Sequence, residues 1–211
     1  MPPVPEAVVT HAGSVASLWV QRWSHLVPAG ASVLDVACGS GRHVRWFAQR
    51  GCHVTGVDRD AAAMQPLASI AETVVADIES GPWPWPARRF DAVVVTNYLW
   101  RERLPDVIAS LADGGVLMYE TFSLGNESVG KPSNPKFLLR PGELLQVCAG
   151  LRVVAFEDGF EPGDASTAAR FVQRIVALRE STASGTPARH VLPLPDTVAG
   201  QVKSSDSEDL P

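Results

Sequence analysis

The chain has 211 residues, a hydrophobic content of 45% and a formal net charge of −5, which is enough polypeptide for one domain with its own core. No apolar run reaches the roughly 18 residues that a membrane span requires, so we expect no membrane partner. The N-terminus lacks a basic segment followed by an apolar stretch, and no signal peptide is expected. The three cysteines are scattered, a pattern that predicts neither disulfides nor a metal site and favours a reducing cytoplasm.

The basic residues of the chain form only small clusters, at 42–50 and 131–140. Because a nucleic-acid binder normally carries a broad basic face, we expect a small-molecule partner instead. Residues 1–12 are Pro-rich and are predicted to be loose, and residues 181–211, rich in Ser, Thr, Pro and acids, are predicted to be disordered. Residues 13–180 are then the folded domain, and nothing in the pattern indicates its oligomeric state.

The first predicted element is an amphipathic helix over residues 14–26, with Val15, Leu18, Trp19, Trp23 and Leu26 on one apolar stripe. A buried strand follows at 32–37, then a Gly-containing turn, a helix over 42–49 and a second strand over 53–57.

Strands and helices continue to alternate along the rest of the chain. We predict a helix at 61–70 that bends at Pro66, strands at 73–76, 90–96 and 116–121, helices at 104–111 and 141–148, and strands at 151–156 and 171–178. The loop at 80–89 contains Trp83 and Trp85, which we interpret as caps on the sheet and not as a peptide-ligand motif. This regular alternation predicts an α/β fold with a parallel sheet and ligand binding at the carboxyl ends of its strands.

The turn after the first strand carries a distinctive set of residues. Asp35 lies near the end of the strand, and Ala37, Gly39 and Gly41 alternate through the turn. A dinucleotide site would need a third glycine at position 44, and an acid within the motif would repel a pyrophosphate. An acid suits the ammonium of an amino acid, and Asp58 after the second strand suits the two hydroxyls of a ribose. The pattern therefore fits S-adenosylmethionine better than NAD.

On these motifs the chain resembles the class I S-adenosylmethionine-dependent methyltransferases, and among them the small bacterial tellurite-resistance-type enzymes, over roughly residues 15–180. The resemblance implies a Rossmann-like, doubly wound, seven-stranded sheet in a three-layer αβα arrangement. The sheet would be mostly parallel, with one antiparallel strand, the last, inserted between the fifth and sixth.

The resemblance also implies how S-adenosylmethionine would be bound. The methionine part would contact the turn after the first strand, the ribose and adenine would contact the ends of the next two strands, and the sulfonium would lie over the end of the fourth. The residues concerned are Asp35, Ala37, Gly39 and Gly41 for the methionine part, Asp58 and Arg59 for the ribose, Asp77 and Ile78 for the adenine, and Thr96 and Asn97 for the sulfonium. Ala37 departs from the family, which usually has glycine there.

Methyl transfer chiefly requires alignment and exclusion of water, so no catalytic residue is assigned from the sequence. The residues that follow Thr96 lack the Asn/Asp-Pro-Pro-aromatic motif of enzymes that methylate amino groups of adenine or cytosine. We interpret residues 120–143 as a substrate lid whose cations could bind an oxyanion, and His43 as a helix-surface residue. The candidate substrate-pocket residues are Asn97, Tyr98, Arg101, Glu120 and Arg140.

The leading hypothesis is a cytoplasmic methyltransferase that acts on a small molecule or a metalloid oxyanion. Two alternatives remain open at this point. One is a methyltransferase of ribosomal or transfer RNA, and the other is a non-catalytic regulator that binds the cofactor.

Overall fold

The computed structural model describes residues 15–164, 167–181 and 189–193. The predictions for residues 1–12 and for most of 181–211 concern segments outside these described residues.

Seven strands form one sheet, in the spatial order β3-β2-β1-β4-β5-β7-β6. The strands are β1 (Ser32–Val36), β2 (His53–Asp58), β3 (Glu72–Val75), β4 (Phe90–Thr96), β5 (Leu111–Phe122), β6 (Arg152–Glu161) and β7 (Arg170–Leu178). The pairs among β1 to β5 are parallel, whereas β7 lies between β5 and β6 and is antiparallel to both. The predicted seven-stranded sheet with one antiparallel inserted strand is confirmed.

The helices are short, and several continue into 3₁₀ turns. They are α1 (Leu18–Trp23), α2 (Arg42–Gln49), α3 (Ala61–Met64), α4 (Leu104–Ala109) and α5 (Glu143–Val147). The 3₁₀ turns are Ser24–Leu26, Gln65–Leu67, Arg101–Arg103, Asn126–Ser128 and Pro135–Phe137. The predicted bend at Pro66 is present as the change from α3 to a 3₁₀ turn, because proline cannot donate to the helical ladder.

Two apolar clusters occupy the two faces of the sheet. On one face Trp19, Phe47 and Met64, from the first three helices, pack against alternate residues of the strands. On the other face Leu104 and Leu144, from α4 and α5, pack against the intervening residues. Because both faces are covered, the central strands are buried throughout, and the three-layer αβα arrangement is confirmed.

The first helix is shorter than the sequence pattern predicts. It begins at Leu18, and the hydroxyl of Ser17 caps it by accepting a hydrogen bond from the N–H of Val20 at 3.1 Å. The prediction that Val15 and Leu18 lie on the buried stripe is wrong, since they are 66% and 81% exposed. Trp19 instead faces the sheet, where its indole N–H donates to the carbonyl of Ile175.

A tryptophan-containing loop takes the place of a helix between β3 and β4. Trp83 and Trp85 are almost fully buried, and the two rings meet edge to face at 5.7 Å. Trp85 stacks in the same way on Phe90, and the Trp83 indole donates to the hydroxyl of Ser110. The prediction that these rings cap the sheet is confirmed.

The last strands extend further than predicted. β5 begins at Leu111 and not at residue 116, and β6 continues to Glu161 instead of ending at 156. β6 lies at the sheet edge and is largely exposed, and its second half contains charged residues. The alternation of apolar and polar residues that predicts a strand is therefore absent there. Within the described residues, no helix is long and apolar enough to cross a membrane.

We predict that Trp85→Ala lowers the free energy of unfolding by about 3–5 kcal/mol, because it removes a buried ring on which two other rings pack. Trp46, which is half-buried on α2, provides the comparison, and Trp46→Ala is expected to cost roughly 1–2 kcal/mol. Denaturant unfolding measures both values. Equal losses at the two positions would contradict the structural role given to the tryptophan loop.

Candidate active site

The strand order reverses between β1 and β4, and the chain leaves these two strands in opposite directions. Ala37 after β1 and Asn97 after β4 both adopt left-handed backbone, with φ of 53° and 55°. This conformation costs a residue with a Cβ roughly 1–2 kcal/mol, and such strain concentrates at functional sites. The two strained residues therefore flank the crevice in which a ligand of this fold binds.

A cavity of about 440 Å³ opens at this crevice, a volume typical of small-molecule sites. Its walls come from the ends of β1, β2, β3 and β4, and they include most of the predicted cofactor residues. The lining residues are Ala37, Asp58, Arg59, Ala76, Asp77, Ile78, Glu79, Asn97 and Tyr98.

Asp58 joins the end of β2 to the turn after β1. One carboxylate oxygen accepts a hydrogen bond from the N–H of Gly39 at 2.8 Å, and the other accepts from the N–H of Asp60 at 2.9 Å. Each oxygen retains a further lone pair. Asp58 can therefore brace the turn and still accept from hydroxyl groups in the cavity.

The loop after β3 is held by two side chains. The Asp77 carboxylate accepts from the N–H of Glu79 and from the hydroxyl of Ser80, at 2.9 and 2.7 Å. The hydrogen bond from Ser80 is the largest of the contacts that hold the pKa of Asp77 below its usual value. Arg103, which the sequence analysis did not single out, donates to the carbonyls of Ile78 and Gly81. The loop therefore presents its residues to the cavity from a fixed backbone.

Gly41 allows the turn to pack against the helix that follows β2. Its φ is +77°, and a Cβ there would lie 2.4 Å from the Cδ1 atom of Leu67. Neither the left-handed backbone nor the space beside Leu67 suits a residue with a Cβ atom. Gly41 thus shapes the turn from behind and, like Gly39 and Thr96, does not line the cavity.

Asp35 also lies behind the cavity wall, and its side chain is almost fully buried. Its Oδ2 atom has no hydrogen-bond partner. Burial raises the pKa of Asp35 to about 7, although the Arg42 guanidinium and the N–H of Val44 oppose the shift. A buried acceptor without a partner is costly, and such groups call for a functional explanation.

His43 is 1% exposed, so the prediction of a helix-surface residue is wrong. Its Nε2 atom accepts from the N–H of Ser17 at 3.2 Å, and Nδ1 lies 3.4 Å from the Thr96 hydroxyl. Burial, with a smaller contribution from Arg42, lowers the pKa of His43 to about 3. The ring is inside because α2 turns this face toward α1 and the sheet.

Charged side chains cluster beside the turn, at the carboxyl ends of β1, β4 and β5. Glu120 is 1% exposed, with its carboxylate 3.3 Å from Arg174 and 3.7 Å from Arg170. Arg42, from the basic cluster at 42–50, is half-buried and donates to the Thr96 hydroxyl at 3.3 Å. Glu120 is therefore part of a buried ionic cluster and lines neither this cavity nor a smaller one that adjoins it.

A second cavity of about 230 Å³ adjoins the first and shares Glu79, Asn97 and Tyr98 with it. The segment predicted as a lid supplies half of its wall, held to the sheet by a bridge between Ser123 and Leu139. The lining residues are Glu79, Asn97, Tyr98, Leu99, Thr121, Phe122, Pro132 and Phe137. Of these, the sequence analysis named only Asn97 and Tyr98 as pocket residues.

Comparison with known proteins identifies the central part of the chain. Residues 33–114 match the family model described as a methyltransferase domain. This segment, less than half of the chain, is therefore similar to a methyltransferase domain. No curated protein matches the chain significantly.

Solved structures share this fold. TehB from Haemophilus influenzae is 19% identical, with a TM-score of 0.61, and the match covers 77% of this chain and 61% of that one. For an S-adenosylmethionine-dependent methyltransferase from Methanosarcina mazei the identity is 16%, the TM-score 0.59 and the coverages 79% and 99%. A TehB-like enzyme from Corynebacterium glutamicum is 20% identical, with a TM-score of 0.52 and coverages of 77% and 87%. The predicted resemblance to class I S-adenosylmethionine-dependent methyltransferases is confirmed at the level of the fold.

The chemistry of the site fits S-adenosylmethionine. Asp58 ends β2, Asp77 follows β3 in the wall of the same cavity, and α2 starts after Gly41 without a side-chain cap. The orphaned oxygen of Asp35 places negative charge behind the turn when the carboxyl is ionised, which favours a cationic group in front of it.

Two predicted substrate residues, Arg101 and Arg140, have other partners in the structure. Arg101 donates to both carboxylate oxygens of Glu143, at 2.7 and 2.9 Å, and to the carbonyls of Lys136 and Leu138. The Arg140 side chain is 68% exposed and also pairs with Glu143. Neither arginine lines a cavity, and Arg101 instead fastens the lid segment to the turn after β4.

We predict that Asp35→Asn changes the pH dependence of stability. The wild-type carboxyl keeps its proton in the folded state up to about pH 7, so wild-type stability falls from about pH 4 to pH 7 as the unfolded carboxyl ionises first. Relative to wild type, the variant should gain on the order of 2–4 kcal/mol over this interval. Unfolding by denaturant at pH 4 and pH 8 gives the values.

Asp60→Asn is the control for this experiment. The Asp60 carboxylate caps α3 from an exposed position, and asparagine caps as well as aspartate. It separates the effect of a buried carboxyl from the simple loss of one charge. Parallel stability curves for wild type and Asp35→Asn would show that Asp35 does not titrate as described.

Proposed function

We propose that the chain is an S-adenosylmethionine-dependent methyltransferase that acts on a small organic molecule. The observation that carries the proposal is the pair of adjoining cavities with Glu79, Asn97 and Tyr98 in their common wall. One cavity is lined by most of the residues that the family resemblance assigns to the cofactor. The other has half of its wall from the lid segment and is the place for a methyl acceptor.

In this proposal S-adenosylmethionine supplies a methyl group on a sulfonium, and the protein aligns the acceptor and excludes water. Asp58 accepts from the ribose hydroxyls, Asp77 and Ile78 flank the adenine, and Asn97 lies under the sulfonium. The N–H of Asn97 donates to the carbonyl of Glu120 at 2.9 Å, which fixes its left-handed backbone. The residue between the two ligands is thereby held in place.

Charge distribution favours an organic acceptor over a metalloid oxyanion or RNA. No cation is among the described residues that line the second cavity. Arg101, one of the predicted anion-binding residues, already has four acceptors. A non-catalytic sensor would need the cofactor cavity alone, so the second cavity favours an enzyme.

We predict that Asp58→Ala weakens binding of S-adenosylmethionine by about 1–3 kcal/mol, because charge-assisted hydrogen bonds are lost. Calorimetric titration of the purified protein measures the affinity. Asp91→Ala is the matched control, since Asp91 braces the backbone of Ser32 at the opposite end of the strands, at 2.8 Å. An unchanged affinity in Asp58→Ala, or an equal loss in the control, would refute the ribose role.

The acceptor class is tested with methyl-labelled S-adenosylmethionine. Purified protein and the labelled cofactor are added to a bacterial extract, which is then separated by size. Label in the small-molecule fraction, on a compound other than the cofactor, is the expected outcome. Label confined to RNase-sensitive material, or binding of the cofactor without transfer to any fraction, would overturn the proposal in favour of an RNA methyltransferase or a regulator.

A further inference from the structure

We propose that the methyl acceptor is an amine carried on a flat apolar body, such as an aromatic ring, with its nitrogen beside Glu79. This inference rests on the proposed function and adds the chemical class of its substrate. It follows from the walls of the second cavity, from the one charge among them and from the way that charge is positioned.

The walls of the second cavity select a flat apolar group. Leu99, Phe122 and Phe137 are among its lining residues, together with Pro132 and the ring of Tyr98. Aromatic walls favour stacked or edge-on contact with another ring. The cavity volume of 230 Å³ exceeds the roughly 150 Å³ that accepts benzene, so a single ring with a short polar arm fits.

Glu79 is the one residue in this lining that is charged at neutral pH. It also lines the cofactor cavity and so lies where the two ligands meet. A carboxylate accepts hydrogen bonds and attracts cations, whereas it repels a carboxylate, phosphate or oxyanion substrate. An amine is the nucleophile that both the charge and the hydrogen-bonding capacity of this position favour.

The backbone at Glu79 is held in place by two neighbouring side chains. Its own N–H is held by Asp77, and the preceding carbonyl, of Ile78, accepts from Arg103 at 2.5 Å. The Tyr98 hydroxyl is buried without a hydrogen-bond partner, and burial followed by the nearby Glu79 carboxylate raises the pKa of Tyr98. Glu79 and Tyr98 thus both lie in the wall that the two cavities share, and the Tyr98 hydroxyl is free for a ligand to satisfy.

The other charged groups near Glu79 and Tyr98 do not line the second cavity. Asp77 lies on the same loop, and Arg103 is occupied by the carbonyls of that loop and by Asp106 at 2.9 Å. Arg59 lines the cofactor cavity but is absent from the lining of the acceptor cavity. The charged group that the acceptor meets in the lining of the second cavity is therefore the Glu79 carboxylate.

The transfer balances without any further reactant. The lone pair of the neutral amine forms a bond to the methyl carbon, and the carbon–sulfur bond breaks with its electron pair remaining on sulfur. The products are the methylated amine and S-adenosylhomocysteine. The proton that the new ammonium carries passes to solvent or to the Glu79 carboxylate.

The test extends the labelling of a bacterial extract. The labelled small-molecule fraction is freed of unreacted S-adenosylmethionine and passed over a cation exchanger at pH 3, where aliphatic and aromatic amines are retained, and the retained product is identified by mass spectrometry. We expect label on a retained ring-bearing amine. We also expect Glu79→Gln to lower the rate of labelling of that product at low acceptor concentration by roughly ten- to hundredfold.

Glu102→Gln is the matched control, because Glu102 is exposed and lines neither cavity. It should leave the labelling rate unchanged. A readout independent of turnover is calorimetric titration of the identified amine into protein saturated with S-adenosylhomocysteine. Glu79→Gln should weaken this binding by a similar factor, whereas a merely structural change would lower thermal stability instead.

The outcomes separate this inference from the proposed function. Label on an unretained small molecule, on an anion or on a volatile metalloid product would overturn the amine inference while supporting methyl transfer. Equal labelling by wild type and Glu79→Gln would also overturn it. Absence of transfer to any fraction, or RNase-sensitive label, would overturn the proposed function itself.

Discussion

The reversal of strand order between β1 and β4 is the constraint on which the site depends. Because β2 and β3 wind to one side and β4 and β5 continue on the other, the chain must turn away in opposite directions at this point. Ala37 and Asn97 make these turns in left-handed backbone. The crevice between them collects Asp58 and Asp77 from the neighbouring strand ends, so polar groups distant in sequence share one cavity.

The buried Asp35 carboxyl beneath the crevice lowers the stability of the free protein and favours the binding of a ligand. Asp35 is buried with one oxygen unsatisfied, and its raised pKa shows how little the surroundings support its charge. Arg42 is shared between Asp35 and Glu120, so it neutralises neither completely. A cationic ligand group in front of the turn would favour the ionised form of Asp35. The buried carboxyl therefore lowers the stability of the free protein and contributes to the binding of such a ligand.

The sequence predicted what is local and missed what depends on packing between distant segments. The strand, turn and helix around Gly41 were predictable because apolar runs, acids and glycines follow one another directly. His43 and Leu18 were misplaced because an apolar or polar pattern does not say which side of a short helix meets the sheet. The second cavity was not predicted because its walls come from segments that are distant in the sequence. Phe122 and Phe137 come from the two sides of a bridge within the lid segment, and another part of the wall comes from the loop after β3.

The placement of one arginine decides how the acceptor cavity is charged. Arg101 follows β4 closely enough to have entered the cavity, yet its guanidinium binds Glu143 and two carbonyls of the lid segment. The same contacts that remove a cation from the cavity hold the apolar lid over it. Glu79 is then left as the charge at the junction. A shared fold therefore does not fix the acceptor, because redirecting a single side chain changes both the sign and the shape of the site.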